Sequence, residues 1–442
     1  MNDPIARQLC DPHVHLSRRN LLTAAGGSLF LGPVAAYLGA SEASRQNDRS
    51  RPKSVIVLWL EGGPSQLETF DPHPGGKHGG AVNAIRTSAR GIEIADTLPQ
   101  LAEQMHRVAI LRSVTGKEGD HERAVYNIKT GYRPDPTLVH PSLGAIVCHA
   151  SDLGAEIPRH VSILPSNSPS RGGYLGASFD AFKIDDPANP VPDVTPRVSQ
   201  QRYDTRIDDL LKVAESNFTR RRLLDSDAQR TLHAATTQRA LTMMTSDQLD
   251  AFNVIQEPVA VRAPFGDTAF GRGCLAAIRL ISVGVRCVEV TLSGWDSHIN
   301  NHSLQTAACN QLDAAAASLL RLLEVRDMLK TTLVVIGGEF GRTPRINPAE
   351  GRDHWPHGFS IVLAGCGIRA GVVHGATARA EEIDSEHPEQ STIEPVSVAD
   401  VHATMLSALG IDHSVQLETP VGRPMTISEG EPIASVLSSR GG

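Results

Sequence analysis

VIVLWLEGGPSQLETF, residues 55–70, is the stretch on which the fold turns. Val55 to Leu60 form a short apolar, β-branched run that stops on Glu61-Gly62-Gly63-Pro64-Ser65. Runs of this kind, cut off by Gly and Pro, mark strands and the turns behind them. The pattern returns in CVEVTLSGWDSH (287–298) and TLVVIGGEFGRTPRIN (332–347). Working outward, strands are expected over Val55–Leu60, Val108–Arg112, Val161–Leu164, Val285–Leu292, Leu333–Ile336 and Ser360–Leu363.

Helical periods fill the gaps. Gln305 to Lys330 carries apolar residues at helical spacing. Val398 to Leu409 follows Ser397, which can cap the helix start with Asp400 three residues on, and Gly410 can end it. Strands alternating with helices predict an α/β fold, a mostly parallel sheet flanked by helices, over residues 54–435. Residues 200–258 are charged, strand-poor and helical in period, and read as a helical insertion. Residues 165–199, rich in Pro, Ser, Asp and Asn, read as a long irregular surface segment.

The N-terminus reads as an address. Ser17-Arg18-Arg19-Asn20-Leu21-Leu22 sets two arginines before a modest apolar run from Leu21 to Ala40. That is the arrangement of a twin-arginine signal peptide, expected over residues 1–43 with cleavage near Ala40 to Ala43 and a polar linker over 44–53. The alternative is a membrane anchor, but Gly26, Gly27, Gly32, Gly39 and Pro33 make the run weakly apolar for a span. The expectation is therefore a bacterial protein handled by the twin-arginine export machinery, periplasmic or extracellular, with no stable membrane span after cleavage. Past Cys10, the five cysteines have no C-x-x-C spacing, so small buried apolar residues are expected rather than a disulfide framework or zinc ribbon. The 442-residue chain is 40% hydrophobic and 21% charged, enough for a packed core, and its net charge of −7 without a basic stripe excludes a nucleic-acid binder.

Polar residues gather behind the strands, where open α/β sheets bind ligands. Behind the first strand stand Glu61, two glycines and Ser65, an anion cradle or an ordinary tight turn. His121-Glu122-Arg123 opens a short helix closed by Gly131, suited to an anion at a helix start or to local salt bridges. Asp296 and His298, two apart on an extended segment, point the same way, as two ligands of one ion would. Glu339 and Arg342 follow the Leu333–Ile336 strand, with Asp353, His354 and His357 a few residues on. The acids and histidines are ligands that divalent ions accept, and Arg342 can bind an oxyanion.

Several of these stretches resemble one family. TSDQLDAFNVIQEP, FGDTAFGRGCLAAIRLISVGVRCVEVTLSGWDSHINNH and VVIGGEFGRTPRIN with GRDHWP are similar to the domain-of-unknown-function 1501 family of exported bacterial proteins. EGGPSQLETFDPHP and HERAVYNIKTGYRPDPTLVHPSLG match it also, so the resemblance runs from residue 54 to about 430. It implies an alkaline-phosphatase-like, doubly wound sheet and the superfamily's chemistry, hydrolysis of phosphate or sulfate esters with divalent metal ions. The chain departs from that pattern in three places. The sulfatase Cys-x-Pro-Ser-Arg stretch is Gly119-Asp120-His121-Glu122-Arg123, which excludes a formylglycine nucleophile. Glu61-Gly62 replaces the usual Asp-Asp or Asp-Gly, and Glu339-Phe340 stands where an Asp-His pair is usual.

Two readings follow. In the first, the protein is a metal-assisted hydrolase of an anionic ester or sulfated glycan. Glu61, Asp296, His298, Glu339, Asp353 and His354 then hold a divalent ion or act as acid and base. Ser65, His121, Arg123 and Arg342 form the catalytic set, Ser65 being the nearest hydroxyl to the first strand. In the second, it is a catalytically silent relative that binds a sulfated or phosphorylated glycan or an envelope partner protein.

Overall fold

The structure is a computed structural model, and it describes residues 53–151, 155–195, 197–221, 239–379 and 390–438. The expected signal peptide, and the linker but for Lys53, lie outside the described residues.

Nine strands form the central sheet: β1 (Ser54–Glu61), β2 (Val108–Thr115), β3 (His160–Ile163), β4 (Phe182–Ile184), β5 (Cys287–Ser293), β6 (Thr332–Gly337), β7 (Phe359–Gly365), β8 (Val372–His374) and β9 (Val396–Ser397). Their order is β8-β2-β7-β6-β1-β5-β3-β4, with β9 also paired to β2. The central strand β1 is parallel to β5 and β6, in the register Val55↔Cys287 and Val55↔Leu333. Strand β1 is buried on both sides: Ile56, Leu58 and Leu60 enter one core, while Val55 enters the other. That explains its unbroken apolar run.

Helices cover both faces. On one face lie α4 (Ala269–Ser282) and α5 (Asn301–Val325), which bury Leu275, Ile278, Leu312 and Leu319. On the other lie α2 (Leu143–His149) and α6 (Val398–Ala408), which bury Ile146, Val147, Val401 and Leu406. The fold is thus the expected doubly wound α/β sheet. Ser397 and Asp400 close a reciprocal cap on α6. Helix α1 (His121–Thr130) starts on the Asp120 side chain and ends at Gly131, whose φ of 78° a side chain would strain. Helix α3 (Gln200–Arg221) lies in the segment expected to be helical, of which residues 222–238 are outside the described set. No helix among the described residues is long and apolar enough to cross a membrane.

The expected mostly parallel sheet has one antiparallel member among its described strands: β7 runs opposite to both its neighbours, β6 and β2. Its link from β6, residues 338–358, holds a two-stranded ribbon (Gly341–Arg342 with His354–Trp355) and no helix, so no parallel crossover is available. Helix α5 begins and ends earlier than expected. Asp327 takes φ of 53°, and Met328 N–H donates back to Leu323 O at 2.8 Å, which closes the helix. Segment 165–199 is not all surface: it supplies β4, and Ser166 and Ser170 turn inward onto the buried Lys129–Glu289 pair, whose own contact is 2.8 Å.

Candidate metal centre

Strands β1, β2, β5 and β6 run the same way, so the loops behind them meet at one edge of the sheet. His121 comes from the start of α1, Asp296 and His298 from the loop behind β5, Glu339 from the turn behind β6, and Asp353 and His354 from the returning ribbon. The turn behind β1 packs against them at Gly62, φ 114°, where a Cβ would lie 2.5 Å from the Asp296 nitrogen. Gly63 faces Phe340 in the same way, its Cβ position 2.6 Å from the ring.

Hydrogen-bond partners fix the imidazoles. His354 Nδ1 lies 2.7 Å from the Gly119 carbonyl, which can only accept, so that nitrogen carries the hydrogen and Nε2 presents a lone pair. His298 Nδ1 meets the Asp353 carboxylate at 2.8 Å, and His121 Nδ1 meets Glu339 Oε1 at 2.7 Å. All three Nε2 atoms then point at Asp296, each with a lone pair to offer when its imidazole is neutral. The distances are 3.5 Å from His121 to Oδ2, and 3.3 Å and 3.6 Å from His298 and His354 to Oδ1. His298 Nε2 and His354 Nε2 face each other at 3.0 Å. Lone pairs gathered this closely repel unless a proton or a cation lies among them.

The residues present fit a cation. Atoms of His121, Asp296 and His354 lie within 4.8 Å of one another, the span of ligands around one ion. Each imidazole is oriented by an acceptor behind it, the arrangement that fixes metal-binding histidines. The buried atoms His121 Nε2 and Glu339 Oε2 have no hydrogen-bond partner. Nitrogen and oxygen donors without thiolate suit Zn²⁺ or Mn²⁺.

Charge around the group is uneven. The Glu339 hydrogen bond raises the His121 pKa, against the opposing effect of burial. Burial lowers that of His354, favouring its neutral form. Burial pushes the Asp296 carboxyl up, but the Arg342 hydrogen bond and the charges of Arg342, His121 and His298 outweigh it and hold the pKa low. The His298 hydrogen bond keeps Asp353 low as well. Phe340 is fully buried and packs against both His121 and His354, its ring centroid 4.9 Å and 4.5 Å from theirs.

The other expected site residues lie elsewhere. Glu61 accepts from Ser293 Oγ at 2.6 Å and from the Asn167 N–H at 3.2 Å, beside the group rather than in it. Ser65 is completely buried and donates to Glu68, which is paired with the buried Arg352. Its hydroxyl has no path to a substrate. Arg123 pairs with Glu118 at 2.6 Å. Arg342 is also fully buried: it donates to Asp296 at 2.6 Å, to Gly63 O at 3.0 Å, to Arg352 O at 3.1 Å and to Gly62 O. It orients Asp296 and has no free edge for an oxyanion. Sequence reading missed the Gly119 carbonyl and Asn347, whose Nδ2 donates to His298 O at 3.0 Å and to Asp353 at 3.3 Å. Neither carries a sequence signal, because backbone carbonyls are everywhere and Asn347 looks like a turn residue.

A family model described as a protein of unknown function, DUF1501, matches residues 52–437. Among solved structures, the chain is similar to the PsFucS1 sulfatase from Pseudoalteromonas sp., at 11% identity and a TM-score of 0.41, covering 84% of this chain and 70% of that one. It is also similar to the alkaline phosphatase of the Antarctic bacterium TAB5, at 13% identity and a TM-score of 0.37, covering 82% and 99%. A third likeness is to the lipoteichoic acid synthase LtaP of Listeria monocytogenes, at 9% identity and a TM-score of 0.38, covering 88% and 77%. No curated protein sequence matches. Since the family match takes in the whole sheet and every residue of the histidine–carboxylate group, the chain belongs to the DUF1501 family.

Proposed function

We propose that the mature chain is an exported hydrolase of sulfate or phosphate esters that works with a divalent ion held by His121, Asp296 and His354, with His298 beside them. The observation that supports this is the meeting of three imidazole Nε2 atoms on one carboxylate. A divalent ion there would supply Lewis-acid polarisation of an ester oxygen and would lower the pKa of water toward about 7. The chain's residues set the stage for it. Glu339, Asp353 and the Gly119 carbonyl hold the imidazole tautomers, Arg342 holds Asp296, and Phe340 keeps one side of the group dry. Among the described residues no hydroxyl or thiol hydrogen-bonds to His121, Asp296 or His354, and Ser65 is sealed, which supports water as the attacking group. Mature protein loaded with Zn²⁺ or Mn²⁺ should turn over 4-nitrophenyl sulfate or phosphate, and His298→Ala should abolish it. Loaded protein without turnover sinks the hydrolase reading.

The buried guanidinium of Arg342 and the sealed Ser65 favour a second reading, a silent relative that binds a sulfated or phosphorylated glycan or an envelope partner. It is distinguished by retention on sulfated oligosaccharide without hydrolysis. Export rests on the paired arginines. A precursor with Arg18→Lys and Arg19→Lys should stay in the cytoplasm, and its normal arrival in the periplasm contradicts the twin-arginine route.

A further inference from the structure

Gln305 sits in the second turn of α5, completely buried. Its amide makes three hydrogen bonds, none to its own helix. Nε2 donates to Trp295 O and to Ser297 Oγ, each at 2.9 Å. Oε1 accepts from the Ser65 N–H at 3.0 Å. Trp295 and Ser297 are the two chain neighbours of Asp296, so one side chain grips the loop on both sides of the carboxylate. Ser297 Oγ passes the link on to Asn301 Oδ1 at 2.6 Å, which ties the loop a second time to the first turn of α5.

The third bond matters as much. Ser65 belongs to the β1 turn, and the Gly62 and Gly63 carbonyls of that turn receive the Arg342 guanidinium that is bonded to Asp296. Gln305 therefore joins the two backbone segments that frame Asp296 from opposite sides. Its chemistry is hard to replace. Two N–H groups meet two acceptors and one carbonyl meets one donor, a match that an amide alone supplies. A hydrocarbon of the same size leaves the Trp295 carbonyl, the Ser297 hydroxyl and the Ser65 N–H without this partner in the interior, where leaving polar groups unpaired is costly. A helix that needed only packing at this position would take leucine or methionine.

We infer that Gln305 is a positioning residue of the metal centre: it sets the direction of Asp296 toward His121, His298 and His354. This rests on the reading of that group as a metal site. The test is a titration of metal-free mature protein with Zn²⁺ alone, comparing wild type with Gln305→Met, Gln305→Glu and the control Asp313→Asn. Asp313 lies on the same helix but accepts from the Gln100 and Leu101 N–H groups, away from the centre. Gln305→Met should weaken zinc binding by about 10–100-fold, the usual effect of losing a group that orients a ligand. Asp313→Asn should lower the melting temperature of the metal-free protein and leave zinc affinity unchanged. Should Gln305→Met fail to fold, Gln305→Glu carries the test, because it keeps the acceptor for Ser65 and loses both donors. It should weaken zinc binding and shift the visible spectrum of the Co²⁺-loaded protein. Wild-type protein that takes up no zinc overturns the metal reading itself. Wild-type protein that binds zinc, with Gln305 variants binding as tightly and an unchanged Co²⁺ spectrum, overturns the positioning role alone.

Discussion

The turn behind β1 and the loop behind β5 follow neighbouring strands and carry the same kinds of residue, yet they face opposite ways. In the first, the side chains of Ser65, Gln66, Glu68 and Asp71 are buried and bonded inward: Ser65 to Glu68, Glu68 to Arg352, Gln66 to the Arg342 backbone, and Asp71 to Thr377 and Arg112. In the second, Asp296 and His298 remain 49% and 45% exposed and share their atoms with His354 and Asp353. One region is scaffold and the other, on the proposed reading, is site. Proximity to a strand end places a residue at the ligand-binding edge of the sheet, but long-range partners decide whether it faces the ligand.

The contrast breaks most visibly at Arg352. Both it and Glu68 are almost wholly excluded from water, and their contact is 2.8 Å. Arg352→Ala leaves the buried Glu68 carboxylate without its cation, and urea unfolding should show a loss of about 3–5 kcal/mol. If the variant is as stable as wild type, the β1 turn is not scaffold.

A similar contrast separates His402 from the histidines of the site. His402 is fully buried on α6, against Gly131, and burial lowers its pKa to about 4. Its folded pKa is below the unfolded value near 6.5, so the unfolded chain binds the extra proton between the two. The stability it contributes is complete above pH 6.5 and is lost as pH falls toward 4, about 3 kcal/mol in all. Unfolding measured across that range should be less acid-sensitive in His402→Leu. An unchanged pH slope refutes the assignment.

Two smaller substitutions sharpen the comparison by moving in opposite directions. Ser65→Ala removes a buried hydrogen bond and should cost about 1–3 kcal/mol while metal content stays the same. His298→Ala, at a partly exposed position, should change stability of the metal-free protein by no more than about 0.5 kcal/mol and remove most of the metal. Metal lost from Ser65→Ala and kept by His298→Ala reverses the two roles.

Much of the fold was legible because a buried strand has a local signature. The runs read from Val55, Val108, Val161, Val285, Leu333 and Ser360 all gave strands of the main sheet, within a residue or two of their expected starts. Ser397 and Asp400 announced a helix start with their own side chains. The antiparallel sense of β7 was hidden, because strand direction depends on the connection and not on the strand's residues. At the site, Asp296 and His298 came together with Asp353 and His354 because the loop behind β5 and the ribbon behind β6 lie at the same sheet edge. Arg342 was read as an anion clamp, but its partners lie some 280 residues earlier, at Gly62 and Gly63. Ser65 joined the catalytic set as the nearest hydroxyl to the first strand, while its hydroxyl is held by Glu68, and Glu68 by Arg352, 284 residues away. Gln305 gave no signal, since one glutamine on a long amphipathic helix looks like any other.

The central claim is that the group around Asp296 is built for a cation, and metal content tests it most directly. Mature protein purified gently and analysed by elemental mass spectrometry should carry about one equivalent of Zn²⁺ or Mn²⁺. Chelation should lower its melting temperature, because an ion bound only by the folded state stabilises that state. Protein that is metal-free as purified, and whose melting temperature does not respond to added Zn²⁺ or Mn²⁺, contradicts the account.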